Sequence, residues 1–232
     1  MIARAYRKAL INVGGNAVLL RAMALLWKAI PYKARRGVTA LFIKTVLIEK
    51  RLLKIEEQTW ITPTKDLGSL GYWGIPDVDL TSFVLTVNGA VDRPLSMSWQ
   101  DLMALPRIDR QVRMDCVGGF RNNSIMARVP VQHLLDLAGV SPLARRVVFH
   151  CLDGYYVALD LEDLREREGF LAHSTNGEEL PKFGFPLRLA MPGKYGYQWA
   201  KWIHRLEVVT DGRKGYWAEL GLSDRGDVGD VW

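Results

Sequence analysis

The chain has 232 residues, of which 49% are hydrophobic and 24% are charged. These values are typical of a folded globular protein, and they exclude a disordered, collagen-like or polytopic membrane protein. The length suits one sizeable domain with an extension. The two cysteines, Cys116 and Cys151, are too few for a disulfide framework or a multi-cysteine metal site.

The positive charge of the chain is confined to its N-terminal segment. Residues 1–48 contain nine Lys or Arg and no Asp or Glu, whereas the rest of the chain has 22 basic and 25 acidic residues. The overall net charge of +6 therefore describes an N-terminal arm. Because the remainder is mildly acidic and shows no nucleic-acid-binding motif, we expect no nucleic-acid partner.

Residues 1–58 are predicted to form this basic, helical arm. Two apolar runs, residues 9–27 with the single charge Arg21 and residues 38–48 interrupted by Lys44, lie among further Lys and Arg residues and no acidic ones. Three interpretations stay open: a helix that docks on an anionic membrane or a membrane partner, a cleaved targeting segment, or an amphipathic helix that packs on its own domain. The first interpretation predicts a peripheral, membrane-associated protein with at most one N-terminal anchor.

Residues 59–74 are predicted to be a linker, because Thr, Pro and Gly interrupt any periodic pattern there. The main domain is predicted to span residues 75–232. Alternating apolar residues predict strands at residues 83–87, 110–116, 147–151, 155–159, 187–191 and 206–209. Helices are predicted after Ser98, a suitable N-cap, and at residues 131–138 and 161–167. The mixture predicts an α+β domain whose strands pair largely antiparallel.

The first segment with chemical potential surrounds Cys116. This cysteine lies at the end of a predicted strand and is followed by Gly118 and Gly119. A thiolate is a suitable ligand for a soft transition metal, and glycines allow the backbone to approach a bulky cofactor. The alternative is an inert, buried cysteine.

The second segment spans residues 183–202 and combines Gly and Pro with basic side chains. Arg188, Lys194 and Lys201 are available to bind an anion such as a phosphate. The alternative is a rim of solvated surface charges.

The two segments together resemble the signature regions of the sulfite oxidase family, including its periplasmic methionine-sulfoxide-reductase branch. That family pairs a cysteine, followed shortly by Gly-Trp, with a later stretch of His-Gly-x-Pro-aliphatic-Arg and then Pro, Gly and Lys-Trp. Here Cys116 and Arg188 are 72 residues apart. Shorter matches occur at residues 87–91, 134–140, 153–155 and 176–178.

The resemblance implies a sulfite-oxidase-type molybdopterin domain, in which molybdenum is held by the dithiolene of molybdopterin. Cys116 would be its protein ligand and the catalytic residue. The implied reaction is oxygen-atom transfer on a small substrate, such as a sulfur compound. Because the chain has no haem-binding or dinucleotide motif, the implied electron source is a membrane-associated redox partner.

The resemblance also implies how the pterin is held. Arg188 and Lys201 would bind its phosphate, and the backbone around Gly196 and Tyr197 would line the pterin. Lys194 belongs to the same stretch and is expected at the cofactor.

The chain departs from the family pattern at several positions. Phe183 stands where the family usually has a pterin-contacting His, Gln198 where a basic residue is common, and Phe120 where Trp is usual. These departures favour an alternative function, in which a non-catalytic or cofactor-poor subunit is anchored by its arm in a larger membrane complex. The retained cysteine and cations favour the enzyme.

Overall fold

The computed structural model describes residues 17–69 and 74–230. The predicted start of the arm, residues 1–16, and part of the predicted linker, residues 70–73, lie outside the described residues. The helices of the described part are α1 (Ala17–Lys28), α2 (Tyr32–Leu52), α3 (Trp99–Ala104), α4 (Val131–Ala138), α5 (Leu161–Glu166) and α6 (Tyr216–Glu219). The strands are β1 (Val84–Gly89), β2 (Leu95–Ser98), β3 (Ile108–Asp115), β4 (Arg121–Pro130), β5 (Arg146–Cys151), β6 (Tyr156–Asp160), β7 (Phe170–Thr175), β8 (Glu178–Glu179), β9 (Arg188–Ala190) and β10 (Ile203–Val209).

The strands form two sheets. The first sheet has the order β2-β1-β10-β5-β6, and the second has the order β3-β4-β7-β8 with β9 also paired to β7. The pairing is antiparallel throughout except between β1 and β10, which run parallel. The predicted α+β class with largely antiparallel strands is therefore confirmed.

Both sheets contribute to one hydrophobic core. Leu85 and Phe149 of the first sheet and Leu171 of the second are fully buried within it. Helix α4 contributes Leu134 and Leu135 and ends, as the sequence predicts, at Gly139, whose φ of +69° is far less strained for glycine than for other residues. The predicted helix after Ser98 is α3, and Ser98 and Asp101 form a capping box at its start.

The arm folds as two helices that pack on the domain. Helix α2 begins directly after Pro31, whose fixed φ suits a helix start, and it buries Ile43 and Val46. This contact agrees with the interpretation of the arm as an amphipathic helix that packs on its own domain. Across the described residues, no helix combines the length and the apolar character that crossing a bilayer would require.

The segment between the arm and β1 is bound to the domain. The backbone N–H of Thr62 donates to the carbonyl of Asn123 at 2.7 Å, and the side chain of Asn123 donates to the carbonyl of Gln58 at 2.9 Å. Both asparagines at the start of β4, Asn122 and Asn123, are buried by this segment. Strand β4 begins with buried polar residues and so has no alternation of apolar and polar side chains in the sequence. For this reason the strand was not predicted from the sequence.

Candidate functional site

A cavity of about 490 Å³ lies where the end of β3 meets the segment between β9 and β10. Its volume is within the range of small-molecule and cofactor sites. Five of the residues predicted for the site line this cavity: Cys116, Arg188, Gly196, Tyr197 and Lys201. The structure thus brings together two sequence segments that are more than 70 residues apart.

Cys116 directly follows β3 and faces the cavity. Its Sγ accepts a hydrogen bond from the backbone N–H of Gly118 at 3.3 Å, and Gly119 closes the turn with a φ of +83°. Burial raises the pKa of the Cys116 thiol to about 11, against the opposing effects of Gly118, Lys201 and Lys50. At neutral pH the thiol therefore carries its proton and would lose it on binding a metal ion.

Gly196 allows a close approach to Cys116. A Cβ atom at this position would lie 2.7 Å from the Met114 Sδ and 3.5 Å from the Cys116 Cα. Neighbouring Tyr195 forms a parallel bridge with Asp115. A larger residue at position 196 would therefore displace the end of the Met114 side chain, next to the strand end that holds the thiol.

Arg188 and Lys201 place two cations next to each other beneath the cavity surface, because their backbones form an antiparallel bridge. Arg188 is only 9% exposed, its Nε has no hydrogen-bond partner among the described residues, and burial lowers its pKa to about 10. Burial, followed by the charge of Arg188, lowers the pKa of Lys201 to about 8. The Lys201 Nζ contacts the Ser69 Oγ at 3.1 Å.

These residues fit molybdopterin. Arg188 is buried with an N–H that has no partner among the described residues, and it lies beside a second cation, Lys201, so an anion such as a phosphate that binds here would stabilise both charges. The Cys116 thiol is a soft ligand of the kind that molybdenum accepts, and it lines the same cavity. Tyr197 and Trp199 add an aromatic wall suited to a flat ring system.

Lys194, which was also expected at the cofactor, does not line this cavity. Its side chain is fully buried, and its Nζ lies 2.7 Å from the Asp163 Oδ2 and 2.8 Å from the Asp227 Oδ1. The backbone carbonyl of Lys194 accepts from the Trp199 indole at 3.0 Å. The charge of Lys194 is neutralised by two carboxylates, so the residue stabilises the fold behind the cavity wall.

Two of the departures from the family pattern prove to be separate from the cavity lining. The Lys201 Nζ lies over the Phe183 ring, 5.7 Å from its centroid, in a cation–π contact. Gln198 is 3% exposed and donates to the carbonyl of Asp224 at 2.8 Å. The third residue, Phe120, lines the cavity and packs against Gly68.

A buried ion cluster behind Cys116 was not predicted. The Asp115 carboxylate accepts from the Lys50 Nζ at 2.5 Å and from two nitrogens of Arg121 at 3.0 and 3.2 Å. Asp115 and Arg121 face each other across the β3–β4 hairpin, so their pairing follows from the strand register. Lys50 lies in α2, and no sequence signal connects it to this hairpin.

The second group that was not predicted belongs to the arm and the C-terminal part of the domain. Met23 and Trp27 of α1, Phe42 of α2, and Leu220 and Leu222 after α6 all line the cavity. Their apolar character is visible in the sequence, but their position beside Cys116 is decided by the docking of the arm.

Comparisons with known proteins agree with this geometry. A family model described as "Oxidoreductase molybdopterin binding domain" matches residues 72–217. An oxidoreductase of Bacillus subtilis, YuiH, is 34% identical over 151 residues, covering 64% of this chain and 76% of the relative. A "Putative protein-methionine-sulfoxide reductase subunit YedZ1" of Azospira oryzae is 35% identical over 156 residues, covering 66% of this chain and 60% of the relative.

Among solved structures, the sulfane dehydrogenase SoxCD from Paracoccus pantotrophus superposes with a TM-score of 0.62 at 26% identity, covering 66% of this chain and 45% of that chain. The chain thus spans 60% of the Azospira oryzae relative and less than half of the solved structure. Because the family model covers well over half of the chain, the chain belongs to the family of oxidoreductases with a molybdopterin-binding domain, and its cofactor is molybdopterin with molybdenum.

Proposed function

We propose that the protein transfers an oxygen atom to or from a small sulfur-containing substrate, with Cys116 as the protein ligand of molybdenum. The observation that carries this proposal is the shared cavity of one buried thiol and two adjacent cations, the buried Arg188 and the partly buried Lys201. The names of relatives support this substrate class. Beside nitrate reductases at 24–26% identity, they include a methionine-sulfoxide reductase subunit at 35% identity, sulfite oxidases and a sulfane dehydrogenase.

The bound cofactor supplies a two-electron redox change, and the residues of this chain hold it and set its surroundings. Arg188 and Lys201 would bind the phosphate end of the cofactor. The N–H of Gly118 and the charges of Lys201 and Lys50 favour the thiolate of Cys116. A pair of polar contacts, from Tyr155 Oη to the Tyr197 carbonyl at 2.5 Å and from Tyr197 Oη to the Ser223 carbonyl at 2.8 Å, fixes the aromatic wall.

The reaction needs an electron carrier beyond the molybdopterin domain. Reduction of a sulfoxide consumes two electrons and two protons and releases a thioether and water, and the opposite direction releases two electrons. The sequence contains no haem-binding or dinucleotide motif to exchange them. We therefore assign this role to a membrane-associated redox partner, and the name of the Azospira oryzae relative, which describes a subunit, supports it.

The outer face of the arm is suited to membrane association. The following apolar side chains of α1 and α2 are between 55% and 77% exposed: Leu25, Leu26, Val38, Leu41, Ile48 and Leu52. Exposed basic residues of α2 lie among them: Lys33, Arg36, Lys44 and Arg51. Exposed apolar and basic side chains on one helix pair favour an anionic membrane surface or a membrane-embedded partner.

Metal and pterin analysis of purified protein tests the proposed site. Wild-type protein made in a host that synthesises molybdopterin should carry about one molybdenum per chain. The Cys116→Ser variant should lose most of the metal because a hydroxyl is a poor substitute for a thiolate ligand. Cys151→Ser is the matched control, since Cys151 is also a buried cysteine without a disulfide but does not line the cavity.

Two outcomes would contradict the proposal. The first is wild-type protein without molybdenum from a competent host. The second is equal metal content in wild type and Cys116→Ser.

A further inference from the structure

The cavity has two chemically different ends. Its polar end contains Ser69, Cys116, Asp153, Arg188 and Lys201. Its apolar end contains Met23, Trp27, Phe42, Trp217, Leu220 and Leu222. Most of the apolar end lies outside residues 72–217, the part matched by the family model. This end is therefore an addition that the arm and the C-terminal segment make to the common domain.

The arm is fixed to the domain where it borders the cavity. The Trp27 indole N–H donates to the carbonyl of Leu220 at 2.7 Å, and Arg35 Nη1 donates to that of Glu219 at 2.6 Å. The Thr39 hydroxyl donates to the Gly221 carbonyl at 2.6 Å. Because the polar N–H of Trp27 is satisfied by Leu220, the rest of its ring contributes only apolar atoms to the cavity wall.

The arm residues also reach the rim of the cavity. Met23 is 56% exposed and Phe42 is 49% exposed, whereas Trp27 is only partly exposed. The part of the cavity lining that the arm contributes is thus aromatic and aliphatic. An inorganic oxyanion gains nothing from such a wall, whereas an organic substituent gains free energy in proportion to the apolar area that it buries.

We propose that the arm forms a substrate subsite, in which Trp27 and Phe42 receive an apolar substituent of the substrate and so determine specificity. This inference rests on the proposed function, because it places the reacting sulfur at the Cys116 end of the cavity. It adds that the arm, and not only the molybdopterin domain, selects the substrate.

The test compares two sulfoxides that differ in apolar area, dimethyl sulfoxide and methyl p-tolyl sulfoxide, with full-length holoenzyme and a reduced viologen dye as the electron donor. For wild type, the KM of the tolyl compound should be at least about tenfold lower than that of dimethyl sulfoxide. Trp27→Ala and Phe42→Ala should raise the KM of the tolyl compound about tenfold and leave that of dimethyl sulfoxide and the molybdenum content unchanged.

Three further variants control this experiment. Leu25→Ala and Leu41→Ala alter leucines of the same two helices that are 70% and 65% exposed and do not line the cavity, so they should change neither KM. Trp27→Phe keeps an apolar ring and loses the bond to Leu220, and it should retain most of the preference for the tolyl compound. If arm docking alone mattered, Trp27→Phe would behave like Trp27→Ala.

Binding of methyl p-tolyl sulfoxide to oxidised holoenzyme, measured by calorimetry, gives a readout without turnover. Trp27→Ala should weaken this binding about tenfold. Failure of the proposed function would show as wild type that lacks molybdenum, or that holds it and neither reduces these sulfoxides nor oxidises the corresponding sulfides. The subsite itself is wrong if Trp27→Ala and Phe42→Ala leave both binding and KM unchanged, or if they release the cofactor, since the arm would then cover the pterin.

Discussion

At the scale of single residues, the charge of the cavity wall depends on two neighbouring cations, Arg188 and Lys201. The ordinary pKa of lysine is 10.5, and burial beside Arg188 lowers the pKa of Lys201 to about 8. Between these values the unfolded chain binds more protons than the folded protein. The contribution of Lys201 to stability therefore increases as the pH rises from about 8 to about 10.5, because the buried charge is then removed.

Anion binding should depend on pH in the opposite direction. Lys201 attracts a phosphate only while it is charged, so the affinity of cofactor-free protein for inorganic phosphate should fall about tenfold per pH unit above about pH 8. Calorimetry at several pH values between about 7.5 and 9.5 measures this change. Lys201→Arg should keep its affinity across the range, because arginine stays protonated. Identical profiles for the two proteins would exclude Lys201 as the titrating group.

At the scale of secondary-structure elements, the arm and the strand that carries the thiol are joined by a buried ion cluster. Lys50 of α2 and Asp115 of β3 are 1% and 3% exposed in their side chains, and Arg121 of β4 binds the same carboxylate. The cluster connects the docking of α2 to the position of Cys116, which directly follows Asp115.

Removing the lysine of this cluster should destabilise the protein. Lys50→Met should lower the free energy of unfolding by about 3 kcal/mol, the lower end of the range for a broken buried ion pair, because Arg121 still neutralises Asp115. Arg51→Met is the matched control on the same helix, since Arg51 is exposed, and it should change the free energy by less than about 0.5 kcal/mol. Urea unfolding measures both values. If Lys50→Met were as stable as wild type, the attraction between Lys50 and Asp115 would only offset the free energy that their burial costs.

The element scale also shows where sequence patterns succeed and fail. Helix α4 and the N-cap at Ser98 were predicted correctly because their signals are local: an apolar period, a cap and a closing glycine. Strand β4 was not predicted, since Arg121, Asn122 and Asn123 are polar residues buried by a segment more than 50 residues away in sequence. A strand whose polar side chains are satisfied by a distant segment has no periodic signature.

At the scale of the whole molecule, the arm has two faces with different surroundings. The inner face docks on the domain and borders the cavity, while the outer face exposes leucines and basic residues. Deleting the arm would remove Trp27, Phe42 and Lys50 together, so substitutions on its outer face are a sharper test of membrane association.

Vesicle sedimentation provides that test. Wild-type protein should sediment with vesicles of phosphatidylglycerol and phosphatidylcholine, and less so as salt is added, because exposed Lys and Arg are attracted to anionic lipid. A Leu25→Glu/Leu41→Glu double variant should lose most of this binding through lost apolar contact and added negative charge. Leu143→Glu, which alters a leucine of the domain that is 76% exposed, serves as the control. Membrane docking by the arm would be refuted if the double variant sedimented like wild type.

The sequence by itself determined the fold class and the helices with local signals, and it predicted that Cys116, Arg188 and Lys201 belong to one site; all three line the same cavity. These features depend on short-range periodicity and on two motifs, both of which involve residues close together in sequence. The tertiary structure alone decided that Lys194 is neutralised by Asp163 and Asp227, that Lys50 supports the strand end at Cys116, and that the arm borders the cavity. The role of a charged or apolar side chain depends on what lies opposite it, and here those partners are 31 or more residues away in sequence.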